Sequence, residues 1–321
     1  ALDSGFTPAT IVLDAPFVVD QGPGLGKWKP ANYTKKFYGP TPMRIGIERS
    51  RNLMTVRLAQ TIGMEKIVEY ARRFGIADDM PPMLSMALGA GETTLLRLTT
   101  AYAMLVNGGK RIVPTVIDRI QDRNGKTIYR HDTRRCPQCQ VEVWVGQPPP
   151  ELPDEREQVA DPISAYQIVS MLRGVVERGT GRRIRAVGKP LAGKTGTTNN
   201  STDTWFMGFS PDLAVGVYVG FDEPRSLGRK ETGSSVAAPI FRDFMAAALK
   251  DKPAIPFRIP PGVRLVRLNL DTGQLARPGD RHVILEAFRP GTVPTAGPQA
   301  VIDGGYNPFA GSPTGGTSGL Y

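Results

Sequence analysis

The sequence predicts an α/β chain built in α+β layers, an antiparallel β-sheet flanked by helices. Three observations carry this expectation. Apolar residues recur at helical spacing between residues 52 and 105 and again from 164 to 176. Two apolar, β-rich runs at 204–209 and 213–221 are separated only by Ser210-Pro211-Asp212, which reads as an antiparallel hairpin. Another helical pattern, 235–250, follows that hairpin, and helices, a hairpin and a terminal helix pack as layers. Composition permits such a core. The chain has 321 residues, 40% of them hydrophobic, enough for one large domain or two smaller ones. No run approaches the roughly 20 apolar residues of a membrane span. Two cysteines exclude a disulfide scaffold.

Residues 1–48 read as loop-rich, punctuated by Pro8, Pro16, Pro23, Pro30, Pro40 and Pro42, with a turn at 21–26. The opening Ala1-Leu2-Asp3-Ser4-Gly5 lacks the basic and apolar regions of a signal peptide and reads like the middle of something longer. Trp28, Tyr33, Phe37 and Tyr38 alternate with Lys27, Lys29, Lys35 and Lys36. This pattern suits either stacking on nucleic acid or aromatics pinning a long loop, and we take the second reading. From Asn52 one helix runs to a break at Gly63, a second runs from Met64 to Phe74 with Gly75 as its stop, and a third starts at Gly91–Thr94 and ends at Asn107-Gly108-Gly109. Asn124-Gly125 between 115–121 and 126–130 predicts a hairpin. Residues 131–160 read as a polar, Pro-rich surface excursion. Ser164–Val176 is helical, and so is Ser235–Lys250, with Pro239 in its first turn. These features divide the chain into a domain at 1–250 and a C-terminal extension at 251–321. The extension holds ten Pro and eleven Gly among 71 residues, so it is expected to be only partly ordered, with a disordered tail and a short strand pair near Asp271-Thr272-Gly273.

The net charge of +10 favours anionic partners, yet no block of five basic residues occurs, so the excess reads as solvated surface with some steering value. Cys136-Pro137-Gln138-Cys139 is compatible with half a zinc site, a redox pair or a local disulfide. The zinc reading lacks further ligands, and a local disulfide outside the cytoplasm is the preferred one. His131 and His282 read as surface residues. No metal and no cofactor is expected.

The sharpest chemistry lies at Ala192–Asn199. Gly188–Thr195 satisfies the P-loop pattern G-x-x-x-x-G-K-[ST], but Arg182-Arg183-Ile184-Arg185 upstream is not an apolar strand and Gly196, Asn199, Asn200 and Ser201 oppose a following helix. Read instead as a sheet edge, Lys194-Thr195-Gly196-Thr197-Thr198 offers a cation, hydroxyls and a glycine that admits a ligand to the backbone, which suits an extended peptide and its carboxylate. A plain polar turn is the alternative. Ser50-Arg51-Asn52 precedes a helix and by itself reads as a helix N-cap.

Taken together, Ser50-Arg51-Asn52 and Lys194-Thr195-Gly196 resemble the S-x-N and K-T-G motifs of the penicillin-binding protein and serine β-lactamase superfamily. The phrases Leu88–Thr94, Thr100–Met104, Asn107–Gly109, Gly179–Gly181 and Asp203–Phe209 resemble the transpeptidase domain of the bifunctional, class A members, over roughly residues 1–250. The family's third motif, S-x-x-K, supplies the nucleophile, and no serine here has a lysine three residues on. The expectation is therefore a transpeptidase fold truncated at its N-terminal side, its nucleophile just upstream, with a glycosyltransferase domain and membrane anchor also outside the chain. The resemblance implies peptidoglycan cross-linking, or D-Ala trimming, on stem peptides of lipid II-derived strands, inhibition by β-lactams, a location on the periplasmic face of the inner membrane, and no nucleic-acid partner. It implies catalytic roles for Ser50, Asn52 and Lys194, substrate binding by Thr195, Gly196, Thr197 and Thr198, and an oxyanion contact from the backbone N–H of Thr197. The alternatives are a non-catalytic module that binds peptidoglycan peptides or β-lactams, and a P-loop nucleotide-binding protein.

Overall fold

The computed structural model describes residues 1–20, 26–134, 136, 139, 143, 145, 146, 148, 152–295, 297 and 299–305. Residues 21–25 of the expected turn at 21–26, part of the 131–160 excursion and the tail from 306 lie outside the described residues.

In chain order the strands and helices are β1 (Ile11–Asp14), β2 (Val19–Asp20), β3 (Lys27–Trp28), β4 (Gly39–Pro42), α1 (Met43–Glu48), α2 (Asn52–Ile62), α3 (Met64–Arg73), α4 (Leu95–Val106), β5 (Arg119–Gln121), β6 (Thr127–Arg130), α5 (Pro162–Glu177), β7 (Ala192–Thr197), β8 (Thr204–Phe209), β9 (Ala214–Val219), α6 (Ala237–Ala248), β10 (Arg264–Asn269), β11 (Val283–Phe288) and β12 (Val301–Ile302). The sheet that matters for the site has the order β7-β8-β9, antiparallel throughout, with Lys194 opposite Met207 and Gly196 opposite Trp205. β7 is thus an edge strand. A second sheet has the order β12-β1-β4, and β10-β11, β2-β3 and β5-β6 are two-stranded.

Local chemistry explains the helices. Asp161 caps α5 by accepting from the N–H groups of Ile163 (2.9 Å) and Ser164 (3.0 Å), and Pro162 starts the helix where a missing N–H costs nothing. Thr94 caps α4 by accepting from Arg97 N–H at 3.2 Å. α5 is the central pillar. Its Val169, Leu172 and Val175 pack against Ala192 and Phe209 of the sheet. On the sheet's α6 side, Phe206 meets Phe241 with ring centroids 4.7 Å apart, amid Ile184, Leu191 and Met245. Truncating a buried aromatic such as Phe206 to alanine costs about 3–5 kcal/mol.

Two features add to the sequence expectations, while the strand pair expected near Asp271-Thr272-Gly273 is present as β10–β11. The segment 1–48 is not merely loop: it holds β1, β4 and α1, a six-residue helix too short to announce itself by periodicity. The part after residue 250 shares the core of what precedes it. β12 pairs with β1 in parallel, Gln167 of α5 donates to the carbonyl of Ala287 at 2.9 Å, and Glu286 of β11 meets Arg44 of α1. That ion pair is fully enclosed. Arg44 Nε and Nη2 both bond the Glu286 carboxylate, the latter at 2.6 Å, and Nη1 bonds Glu48 at 3.2 Å. The Ser170 carbonyl and hydroxyl take its remaining N–H groups at 3.0 and 2.8 Å. A Pro/Gly count is blind to one buried glutamate that fastens a segment.

Removing one partner of a buried, hydrogen-bonded ion pair leaves the other charge stranded. Glu286→Gln is expected to lower unfolding stability by about 3–5 kcal/mol in urea titrations. A loss below about 1 kcal/mol would show that this pair does not anchor the C-terminal part.

Candidate active site

Ser50 is placed by the end of α1. The N–H of Arg51 bonds Gly46 C=O (2.8 Å) and that of Ser50 bonds Ile47 C=O (3.2 Å), the two bonds of a Schellman closure. Ser50 occupies the left-handed position of that motif, with φ +55°, where glycine is usual. A non-glycine residue there costs about 1–3 kcal/mol and is a frequent mark of functional sites. The expected N-cap role is therefore corrected. Ser50 terminates the preceding helix, while Arg51 is the N-cap of α2 and makes no side-chain capping bond.

Lys194 lies in the middle of β7. Its Nζ donates to Ser50 Oγ at 2.7 Å and to the carbonyl of Thr195 at 2.9 Å. The residue keeps partial exposure, yet its ammonium sits deep enough that desolvation lowers its pKa from 10.5 to about 8. The P-loop alternative finds no support in this geometry: Lys194 is on an antiparallel strand, followed by a single 3-10 turn at Asn199–Ser201 rather than a helix.

The other predicted residues divide. Thr195 Oγ1 is 2.8 Å from Thr180 Oγ1, and Ser234 Oγ donates to the Thr180 carbonyl at 2.8 Å, so Thr180 and Ser234 join the strand's hydroxyl row. Thr197 Oγ1 accepts from Gly233 N–H at 2.9 Å. Gly196 has backbone close by: a Cβ on neighbouring Gly233 would lie 2.5 Å from the Gly196 carbonyl oxygen. Thr198 turns away into its own loop, accepting from Asp203 N–H at 2.8 Å and bonding Thr202 Oγ1 at 2.7 Å. Asn52 Nδ2 donates to Ala31 C=O at 2.8 Å. Cys136 and Cys139 are joined as a disulfide with Cα atoms 5.3 Å apart, within the 131–160 excursion.

Sequence reasoning missed four residues around the site, Glu48, Thr180, Gly233 and Ser234. Glu48 accepts from Arg178 Nη2 at 2.6 Å, and its backbone carbonyl accepts the N–H of Thr180 at 3.1 Å. Thr180 was visible within Gly179-Thr180-Gly181 but carried no assigned task. Nothing in the sequence marked Gly233-Ser234.

An antiparallel sheet whose edge carries Lys-Thr-Gly-Thr beside a Ser-x-Asn turn fits the class that the motifs resemble, and the chain belongs to it: the family described as "Penicillin binding protein transpeptidase domain" matches residues 1–246. Within that family the likeness is to penicillin-binding proteins 1A. That of Rickettsia bellii is 50% identical over 291 residues, 90% of this chain and 36% of its own length, and that of Pseudomonas aeruginosa is 39% identical over 90% of this chain and 39% of its own length. The crystal structure of penicillin-binding protein 1A from Haemophilus influenzae superposes with a TM-score of 0.78 at 33% identity, covering 92% of this chain and 46% of that one. The chain thus spans less than half the length of these relatives.

The depressed lysine pKa gives a signed expectation. Between pH 8 and 10.5 the unfolded chain holds more protons on Lys194 than the native one, so the lysine's penalty on folding eases as pH rises through that window. The unfolding free energy of the wild type relative to Lys194→Met should therefore climb from about pH 8 to about pH 10.5 in paired denaturant titrations. A flat difference would show that the ammonium is not desolvated.

Proposed function

We propose that this chain supplies the substrate groove and proton relay of a serine D-Ala-D-Ala transpeptidase or carboxypeptidase that cross-links peptidoglycan and is inhibited by β-lactams. The observation that carries the reading is the 2.7 Å contact between Lys194 Nζ and Ser50 Oγ at a sheet edge, in a chain of this family. No serine of the chain has a lysine at the third position after it, so the acylating serine is assigned to a part of the protein outside these 321 residues. The parent is read as a bifunctional glycosyltransferase–transpeptidase anchored at the periplasmic face of the inner membrane.

In this reading the serine hydroxyl attacks the penultimate carbonyl of a stem peptide, a C–O bond forms, the terminal peptide C–N bond breaks, and D-alanine departs with a proton on its amine. Ser50 donates that proton and is reprotonated by the one that leaves the attacking serine, carried by the lysine of the upstream S-x-x-K segment, because a hydroxyl both accepts and donates. Lys194 also holds positive potential toward the peptide's terminal carboxylate, which Thr195 and Thr197 bind through their hydroxyls. The backbone N–H of Thr197 serves as one oxyanion donor, and a donor at the nucleophile completes the pair. Gly196 leaves the strand edge open to backbone pairing with an extended substrate. Asn52, already bonded to Ala31, orients the peptide with the remaining capacity of its amide. Thr198 shapes the end of the strand rather than binding substrate. An amine of a second stem peptide then displaces the serine to form the cross-link, or water does so and the peptide is trimmed.

Fluorescent penicillin tests this directly. The 321-residue chain alone should remain covalently unlabelled, whereas the protein extended to include an upstream S-x-x-K segment should label. Lys194→Ala in the extended protein should slow labelling by about 10²–10³-fold, the scale of losing one electrostatic contact at an acyl-transfer site. Covalent labelling of the 321 residues would overturn the assignment of the nucleophile. Undiminished labelling of the Lys194 variant would overturn the role of the strand.

A further inference from the structure

The Schellman bonds fasten the turn at Ser50 only on the side of α1. The three residues that follow are fastened from elsewhere, by polar groups to which the proposed chemistry gives no task. Arg51 lays its guanidinium carbon 3.2 Å from the ring centroid of Tyr38 and places Nη1 3.8 Å from Asp14 Oδ2. Asn52 donates to Ala31 C=O, and the N–H of Leu53 donates to Asn32 Oδ1 at 3.3 Å. Asn32 then closes the cluster, its Nδ2 donating to Asp14 Oδ1 at 2.7 Å and to the Lys36 carbonyl at 3.0 Å. Asp14 is wholly buried at the end of β1, and its Oδ2 has no hydrogen-bond partner among the described residues. The charge of Asp14 is answered across space by Arg51 and by Arg57 of α2.

An ion pair of this kind is an expensive way to hold a loop. An apolar pair of similar volume packs at lower cost, because a buried carboxylate with an unused oxygen forfeits solvation. What charge and hydrogen bonds add is direction. They fix where residue 51 and the first turn of α2 sit, and so where the residue before them must point. We propose that Asp14 and Asn32 are positioning residues for Ser50. Acting through Arg51 and the amino terminus of α2, they hold the left-handed turn that lays the Ser50 hydroxyl against Lys194. The consequence for catalysis rests on the transpeptidase reading, whereas the geometry does not.

Crystal structures of the 321-residue chain carrying Asp14→Asn and, separately, Asn32→Ala test the geometry. Asp14→Asn is nearly isosteric, and Tyr38→Leu, at a half-exposed ring, provides a third variant that leaves the core intact. Asp14→Asn and Asn32→Ala are each expected to release Ser50 from φ near +55° and to carry its Oγ beyond about 3.5 Å from Lys194 Nζ, outside hydrogen-bond reach. Tyr38→Leu is expected to loosen the same contact to a smaller extent. Retention of the left-handed turn and the 2.7 Å contact in Asp14→Asn and in every other variant that folds would overturn the proposal. In the serine-bearing protein, Asp14→Asn should lower the penicillin acylation rate constant by about 10²-fold, the scale of a misplacement near 1 Å, with the dissociation constant of the non-covalent complex unchanged. A change confined to that dissociation constant would overturn it. If the wild-type protein itself is not acylated, the transpeptidase reading fails, and the crystallographic comparison alone decides whether the clamp exists.

Discussion

Glu48 joins the two halves of the site. It closes α1 two residues before Ser50, and its buried carboxylate is shared between Arg44 at 3.2 Å and Arg178 at 2.6 Å. Its carbonyl accepts the N–H of Thr180, whose hydroxyl lies 2.8 Å from that of Thr195 on β7. One residue therefore sets how far the serine turn stands from the strand that carries Lys194. The surrounding chain makes room for it. A Cβ at position 174 would lie 1.9 Å from the Glu48 carboxylate, and one at position 179 would lie 2.1 Å from its carbonyl oxygen. Glycine at both places lets the end of α5 approach α1 at backbone distance. Arg44 extends the same network to Glu286, so a contact at residue 286 bears on geometry at residue 50.

Around this constraint the site keeps two costs. Ser50 is held in a left-handed conformation, and the Lys194 ammonium is held out of water. Each is unfavourable for folding, and each is of the kind that clusters at functional sites. A lysine with a pKa near 8 remains mostly protonated at neutral pH, so it keeps a positive field at the strand edge. It is also far closer to releasing a proton than an exposed lysine at 10.5 would be. A hydroxyl fixed 2.7 Å away gives that proton a partner without a search through rotamers.

Much of this was legible in the sequence, and the limits are physical. Helices α2 to α6 followed their apolar periodicity to within a few residues, because each turns part of that periodic face into the core. The β8–β9 hairpin followed from two apolar, β-rich runs on either side of Ser210-Pro211-Asp212, whereas the glycines and threonines beside Lys194 suited a sheet edge or a polar turn alike, and the family resemblance favoured the edge. α1 was not legible, since six residues give less than two helical turns of pattern. The reading of Ser50 as an N-cap failed for the same reason: without α1, nothing showed that the serine closes a helix rather than opens one. Of the aromatics expected to pin the 27–38 loop, Trp28 is partly buried in β3 opposite Val19, and Tyr38 lies under Arg51. Tyr33 and Phe37 stay exposed, and Asn32 does most of the fastening. Long-range polar contacts such as Arg44–Glu286 leave no periodic trace, which is why the part after residue 250 read as an extension.

The proposed function requires that Ser50, Asn52 and the edge of β7 line one groove shaped for a peptide ending in D-alanyl-D-alanine. Amide and side-chain resonances of the 321-residue chain, followed by NMR during titration with such a peptide, test it without requiring turnover. Saturable shifts shared by Ser50, Asn52 and Lys194–Thr197, and abolished when the peptide's terminal carboxylate is amidated, are the predicted result. Shifts confined to another surface, or none on the β7 edge at saturating peptide, would contradict it.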